Sequence, residues 1–264
     1  MTADHGQPTV DLGPAGPMPL FGLGTWQMTG SSCYRAVRYA LELGYRHLDT
    51  ATMYRNERDV GRAVRDSGVP REDVWVTTKL PPGDAGRERR TLEGSLRALG
   101  MDYVDLWLIH WPPASRVGVQ TWKALLAVRD EGLARAVGVS NYSVAQLDEL
   151  IRATGEAPQV NQIRWGPMLY DPVELAEHRQ RGVVLEGYSP FKSTKLGHPV
   201  LAEIASRHRV TPAQVVLRWH IDHGVVVIPK SATPERIAAN FDIFGFSLDE
   251  EELHRIDRLS RRAT

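Results

Sequence analysis

The 264-residue chain has a single cysteine, Cys33. One thiol closes no internal disulfide and builds no cysteine-based zinc site. Excess charge of either sign is also missing. The 32 Lys+Arg residues balance 32 Asp+Glu, so the formal net charge is zero. That excludes the basic footprint of a generic nucleic-acid binder, although a local basic site for an anionic small molecule stays open. Lysine is scarce. It stands only at 79, 123, 192, 195 and 230, and arginine supplies the remaining 27 cations, a bias expected of a GC-rich bacterial coding sequence. No apolar run approaches the ~20 residues that cross a bilayer. The first 16 residues are polar, rich in Gly and Pro, and lack the basic-then-apolar pattern of a secretory signal. A soluble, cytoplasmic, monomeric protein is expected. With 42% hydrophobic and 24% charged residues, wholesale disorder is excluded.

What the sequence has is alternation. Short β-branched or aromatic runs occur at Leu20–Thr25, Tyr45–Asp49, Val74–Thr78, Val104–Ile109, Ala134–Val139, Gln159–Ile163, Val183–Gly187 and Val225–Ile228. Amphipathic segments lie between them: Ser32–Leu43, Glu57–Ser67, Glu88–Leu99, Thr121–Glu131, Val144–Ala153, Pro172–Arg181 and Pro199–His223, the last long enough for two helices. Glu235–Asn240 and Asp249–Leu259 follow. Ser143 with Gln146, and Ser247 with Glu250, fit capping boxes; Thr211-Pro212 fits an N-cap with proline at the first helical position. Gly44, Gly68, Gly100, Gly132, Gly155 and Gly182 each follow a helical pattern, where a left-handed stop is expected.

Eight β/α units in this length predict an α/β fold, a (β/α)8 TIM barrel forming one domain over 1–264. Val10–Pro19 predicts a short N-terminal β-hairpin across the end opposite the active site. Residues 1–19 form the tail and hairpin, and 260–264 a short C-terminal tail. The rival is a doubly wound sheet. Gly22-Leu-Gly24-Thr-Trp-Gln27 has only two of the three glycines of a dinucleotide fingerprint and opens no helix, which argues against it.

Barrel chemistry collects at the C-terminal ends of strands. There the sequence places Asp49 and Tyr54, Lys79, His110, Ser140 and Asn141, Gln162, Tyr188 and Ser189, and Lys230 and Ser231. A lysine turned into a barrel needs a partner, and Asp49 on the adjacent strand is the natural one. A tyrosine beside that cation is expected to have its pKa lowered from ~10 toward neutrality, so that it donates a proton to a carbonyl oxygen. A neutral His110 would orient the same oxygen. Such a set supplies no electrons and needs a hydride donor. Ser140, Asn141 and Gln162 suit a carboxamide, and Tyr188 offers a flat face for an aromatic ring. Lys230, Ser231, Thr233 and Arg236 at a helix start suit a phosphate. Together they describe a nicotinamide dinucleotide with a 2′-phosphate.

The ordered series Gly22-Leu-Gly-Thr-Trp26, Gly44-Tyr-Arg-His-Leu-Asp-Thr-Ala51 with Tyr54, Leu106-Trp-Leu-Ile-His-Trp-Pro112, Gly138-Val-Ser-Asn141, Val160-Asn-Gln162, Gly187-Tyr-Ser-Pro190 and Ile228-Pro-Lys-Ser231 closely resembles the aldo-keto reductases, over Phe21 to about Leu259. It is most similar to bacterial short-loop members of the 2,5-diketo-gluconate reductase kind. The resemblance implies a barrel that binds NADPH/NADP+ in extended form. It implies Tyr54 as general acid tuned by Lys79 and Asp49, with His110 orienting the carbonyl. It further implies cofactor contacts from Gly24, Thr25, Trp26, Asp49, Ser140, Asn141, Gln162, Tyr188, Ser189, Lys230, Ser231, Thr233, Arg236 and Asn240. Trp26, Met53, Tyr54, His110 and Trp111 would line the substrate pocket. Three features depart from the family pattern: Ala239 stands where many members carry Glu, Gly166-Pro167 replaces a His-Pro pair, and the loop after His110 is short. An open pocket of broad carbonyl specificity is expected.

Other chemistry-bearing residues are read plainly. Asp49 with Lys79 alone would be a structural ion pair; Tyr54 and His110 at matching strand ends make it a tetrad. His220 and His223 are expected on a helix surface, with no third ligand to make a metal site. Cys33 stands near a helix start without a catalytic partner, and His47 and His178 are structural. No carboxylate pair of the glycosidase kind is evident. The expected function is NADPH-dependent reduction of aldehydes and ketones to alcohols, with a small-molecule carbonyl as partner and no nucleic acid or membrane. The alternative is a non-catalytic NADPH-binding sensor on the same barrel.

Overall fold

The computed structural model describes residues 7–113 and 118–260. The ends of both predicted tails, and part of the loop after His110, lie outside the described residues. Thr9–Asp11 (β1) and Pro17–Pro19 (β2) form the expected antiparallel hairpin, with Val10 opposite Met18. Met18 is fully buried and plugs the end of the sheet that follows.

That sheet has eight strands: Leu23–Gly24 (β3), His47–Asp49 (β4), Trp75–Leu80 (β5), Val104–Ile109 (β6), Ala134–Ser140 (β7), Val160–Arg164 (β8), Val184–Tyr188 (β9) and Val226–Val227 (β10). Each pairs in parallel with the next. Parallel bridges Phe21–Val227 and Gly24–Lys230 join the first strand to the last, so the sheet curls into a (β/α)8 barrel. These closing contacts are spaced bridges rather than a continuous ladder. Hence β3 and β10 are shorter than the apolar runs that announce them. The opposite holds for β5, β7, β8 and β9. Their ladders continue past the apolar run, so Lys79 pairs with Leu108, and Ser140 with Gln162, inside the sheet.

Ten helices pack around it among the described residues: Gly30–Leu43 (α1), Glu57–Ser67 (α2), Glu88–Leu99 (α3), Val119–Asp130 (α4), Val144–Thr154 (α5), Pro172–Gln180 (α6), Pro199–His208 (α7), Pro212–Asp222 (α8), Pro234–Phe241 (α9) and Glu250–Asp257 (α10). Capping boxes close the starts of α5 (Ser143/Gln146) and α8 (Thr211/Gln214). Gly44, Gly68, Gly100 and Gly155 end their helices in the left-handed conformation. The predicted box at Ser247 is displaced: the α10 cap is Asp249, paired with Glu252. Both readings offer a short oxygen followed three residues later by Glu. The carboxylate two residues further on wins because Glu252 also meets His208 at 2.9 Å and is buried.

The core fills the barrel and the shell between sheet and helices. Trp107, Trp122, Trp165 and Trp219 are fully buried, each worth roughly 2–3 kcal/mol of apolar burial. Phe21, Tyr45 and Phe241 stack beneath β3. His220 and His223 are not helix surface. His220 is completely buried with Nδ1 against the Val216 carbonyl at 2.7 Å, and His223 faces Asp257 at 2.9 Å. α8 carries an apolar face so wide that its histidines share it with Trp219, and α10 packs over them. Cys33 is buried and its thiol is pushed up to about 12, mainly by burial, so it is inert.

Candidate active site

The C-terminal ends of the strands surround a cavity of about 510 Å³. At its base β5 points Lys79 inward. The ammonium is fully buried and donates to Asp49 Oδ1 at 2.7 Å, Asp49 Oδ2 at 2.6 Å and the Thr50 carbonyl at 2.8 Å. Burial alone would lower its pKa, but Asp49, Tyr54 and Glu186 together raise it, so Lys79 stays charged.

Tyr54 ends a single 3-10 turn, Thr52–Tyr54, after β4. Thr52 anchors that turn to the Lys79 carbonyl at 3.0 Å. The Lys79 ammonium lies 5.1 Å from the Tyr54 ring centre, and the His110 ring meets Tyr54 edge-on at 5.7 Å. The Tyr54 pKa is raised, not lowered as the sequence predicts. Burial of the hydroxyl pushes it up, and Lys79 offsets this only in part. Tyr54 therefore keeps its proton at neutral pH. His110 is held near 3 by burial and by Lys79, so it is neutral. Its Nδ1 is buried without a partner.

The opposite wall is one hydrogen-bonded sequence. Gln162 donates to Asp49 Oδ2 at 2.8 Å, tying the wall to the ion pair. Ser140 donates to the Gln162 carbonyl, and Asn141 donates to Ser140 Oγ and to the His110 carbonyl. The Tyr188 hydroxyl donates to Asn141 Oδ1 at 2.8 Å, fixing that ring's tilt. Asn141 (φ 65°) and Ser189 (φ 54°) adopt the left-handed region, as do Gln27 (φ 60°) and Arg55 (φ 57°), all on this rim. Each such residue costs on the order of 1–2 kcal/mol. The turns at Asn141 and Ser189 bring those two residues into the lining of the cavity.

Gly24 also lines the cavity, pressed so close to β10 that a Cβ would lie 2.8 Å from the Ile228 carbonyl. Gly166 explains one departure from the family pattern. A Cβ there would meet Ser193 and Pro190 at 2.9–3.0 Å, so glycine lets the loop after β9 fold down onto β8. Trp26, Met53 and Trp111 stand at the mouth with exposures of 43%, 55% and 46%. Ser189 and Lys230 complete the predicted lining.

Five residues expected at the cofactor do not line this cavity. Thr25 is buried behind the wall, its hydroxyl donating to the Asp49 carbonyl. Ser231, Thr233, Arg236 and Asn240 cluster beyond it, at and within α9. Ser231 Oγ accepts from the Thr233 backbone, and Lys230 and Arg236 form no ion pair among the described residues. Arg164 and Lys192 line the cavity although the sequence reading did not single them out. Arg164 donates to Ser193 and to the Lys192 carbonyl, and Lys192 sits 4.7 Å over the Trp26 ring. Arg164 is two residues past Gln162 on the same strand face, which is the signal that could have found it.

A sequence model of the Aldo/keto reductase family matches residues 20–261. The chain belongs to the aldo/keto reductase family. Among its relatives, a protein of Escherichia coli named methylglyoxal reductase DkgA is 42% identical, over 92% of this chain and 90% of that one. The crystal structure of an aldo/keto reductase from Brucella melitensis superposes with a TM-score of 0.92 at 41% identity, covering 96% of this chain and 99% of that one. An aldo-keto reductase from Bombyx mori, solved in complex with NADP, superposes at 0.89 with 33% identity over 98% and 94% of the two chains. The protein is an NADP-dependent oxidoreductase that reduces aldehydes and ketones. The residues present fit that cofactor: amide and hydroxyl groups with an aromatic face at one end of the cavity, and uncommitted cations toward α9. No helix among the described residues is long and apolar enough to cross a membrane.

Proposed function

We propose that Tyr54 is the general acid of carbonyl reduction and that this chain acts on small aldehydes and ketones with little size selection. The observation that carries the first part is the packing of half-buried Tyr54 against buried Lys79 and His110, with Asp49 on the Lys79 ammonium. When bound, the reduced nicotinamide supplies the hydride. Tyr54 donates its proton to the substrate oxygen as the carbonyl carbon is reduced. Lys79 lies close enough to stabilise the phenolate that remains, and Asp49 holds Lys79 in place. Neutral His110 donates to the same oxygen and aims it.

Ser140, Asn141 and Gln162 suit the carboxamide and Tyr188 the nicotinamide face. Lys230, Ser231, Thr233 and Arg236 suit the 2′-phosphate, with Asn240 beside the adenine. Arg164 and Lys192 add positive charge to the cavity lining. Trp26, Met53 and Trp111 are exposed apolar surface at the mouth, which supports broad selection. The name of the Escherichia coli relative makes methylglyoxal the first substrate to try. The test is NADPH oxidation across dicarbonyls, aromatic aldehydes, keto sugars and keto esters. A single accepted compound with every neighbour refused would contradict the open pocket. A purely NADPH-binding role is disfavoured because binding alone has no need of Tyr54 and His110 together.

A further inference from the structure

The barrel holds a carboxyl group that the reaction above does not use. Glu186 lies on β9, opposite Gln162 of β8 and Val226 of β10. It is two residues below Tyr188, and so on the same inward face one pleat deeper. His47 stands likewise two residues below Asp49, and Thr77 two below Lys79. These three form a layer directly under the catalytic one. Glu186 is fully buried, and neither of its oxygens has a hydrogen-bond partner.

Most of its neighbours are committed elsewhere. From β5, Lys79 donates to Asp49 and Thr50 and also meets the Tyr54 hydroxyl. From β8, the Gln162 amide gives one proton to Asp49, and its other N–H exerts the weakest of the influences on Glu186, short of a formed hydrogen bond. From β4, Asp49 carries like charge, and His47 Nε2 is 3.7 Å away, too far for a hydrogen bond. His47 Nδ1 faces the Pro19 carbonyl at 3.3 Å and so carries that ring's proton, which leaves Nε2 to accept from Thr77 at 3.3 Å. Burial holds His47 near 3, so it is no cation. β10 contributes only valines. An unpaired buried carboxylate is too costly to keep, and the group holds its proton instead.

We propose that Glu186 is a positioning residue: a buried, protonated carboxyl under the Lys79–Asp49 pair that leaves the pair undivided while neutral and weakens the support Lys79 gives Tyr54 once it ionises. Burial, then the Asp49 charge, pushes Glu186 up to about 8. The change therefore falls just above neutral pH. This inference rests on Tyr54 as the proton donor, but two of its readouts do not.

The first is infrared difference spectroscopy of wild type minus Glu186→Gln at about pH 6. A protonated-carboxyl carbonyl band is expected, lost by about pH 9. The second is thermal stability. A folded-state pKa raised from 4.5 to about 8 gives stability that is full below 4.5 and lost as pH rises to 8. Wild-type Tm should fall between about pH 6.5 and 8, and Glu186→Gln should flatten that fall. The third is alcohol oxidation, which needs the Tyr54 phenolate as base. Its rate rises with pH as Tyr54 ionises, and that rise should move to lower pH in Glu186→Gln, by roughly half a unit. Should Glu186→Gln fail to fold, Glu186→Met serves the same comparisons. Absence of the carboxyl band at pH 6 overturns the proposal. So does a band that is present while the pH–rate profiles of variant and wild type superimpose. If the band and Tm behave as expected but Tyr54→Phe still reduces carbonyls at full rate, Tyr54 rather than the state of Glu186 has been misassigned.

Discussion

Among single residues, Lys79 carries the largest electrostatic consequence. Its ammonium is completely buried and held by Asp49 and Thr50. Lys79→Met leaves Asp49 as a buried charge with only Gln162 to hold it. Loss of turnover together with a stability cost of about 3–5 kcal/mol is expected, measured by urea unfolding. A variant that is inactive yet as stable as wild type would show that Asp49 finds another partner. Beyond the tetrad, Arg236→Leu is expected to reduce the preference for NADPH over NADH about tenfold with little change in NADH turnover, an effect of ~1.4 kcal/mol. Unchanged preference would place the 2′-phosphate elsewhere. The tetrad was legible because each member follows an apolar run whose burial on both faces fixes where the strand ends. Two residue-level expectations were not. The direction of the Tyr54 shift depends on how deeply the hydroxyl is buried, which spacing does not reveal. Glu186 hid inside an otherwise apolar run, because one acid within Val183–Gly187 leaves the apolar strand pattern around it intact.

At the scale of elements, the helices were the more legible. Glu57–Ser67 and Glu88–Leu99 agree with their predicted limits, since a left-handed glycine ends each. Strand ends were less so. A ladder runs on as long as its neighbour offers partners, so β5 continues through Lys79, and β3 shrinks to two residues where pairing breaks into bridges. The α10 start gives a direct check. Asp249→Ala should cost about 1 kcal/mol, while Ser247→Ala should be near neutral, both read as shifts in Tm. Equal costs would restore the box at Ser247. The same comparison shows why a cap signature in sequence is ambiguous: two overlapping oxygens compete, and the tertiary partner of Glu252 decides.

For the whole molecule, pH acts through buried histidines as well as Glu186. His47 and His110 are held near 3 and His220 near 4, in each case mainly by burial. Their folded-state pKa values lie below the unfolded value of 6.5, so the unfolded chain takes up protons first. Stability from these groups is full above 6.5 and is lost as pH falls toward 3. Thermal melts should therefore decline on the acid side. A flat acid limb would mean that these rings are charged in the fold. Between the layers of the barrel, the same burial that creates this liability keeps His110 neutral and Tyr54 protonated over the working range. The central claim is that Tyr54 gives the proton. Its most direct test is NADPH oxidation by Tyr54→Phe with methylglyoxal, alongside cofactor binding by fluorescence quenching. The account predicts turnover lower by about 10²- to 10⁴-fold with binding intact. Carbonyl reduction at the wild-type rate by that variant would contradict it.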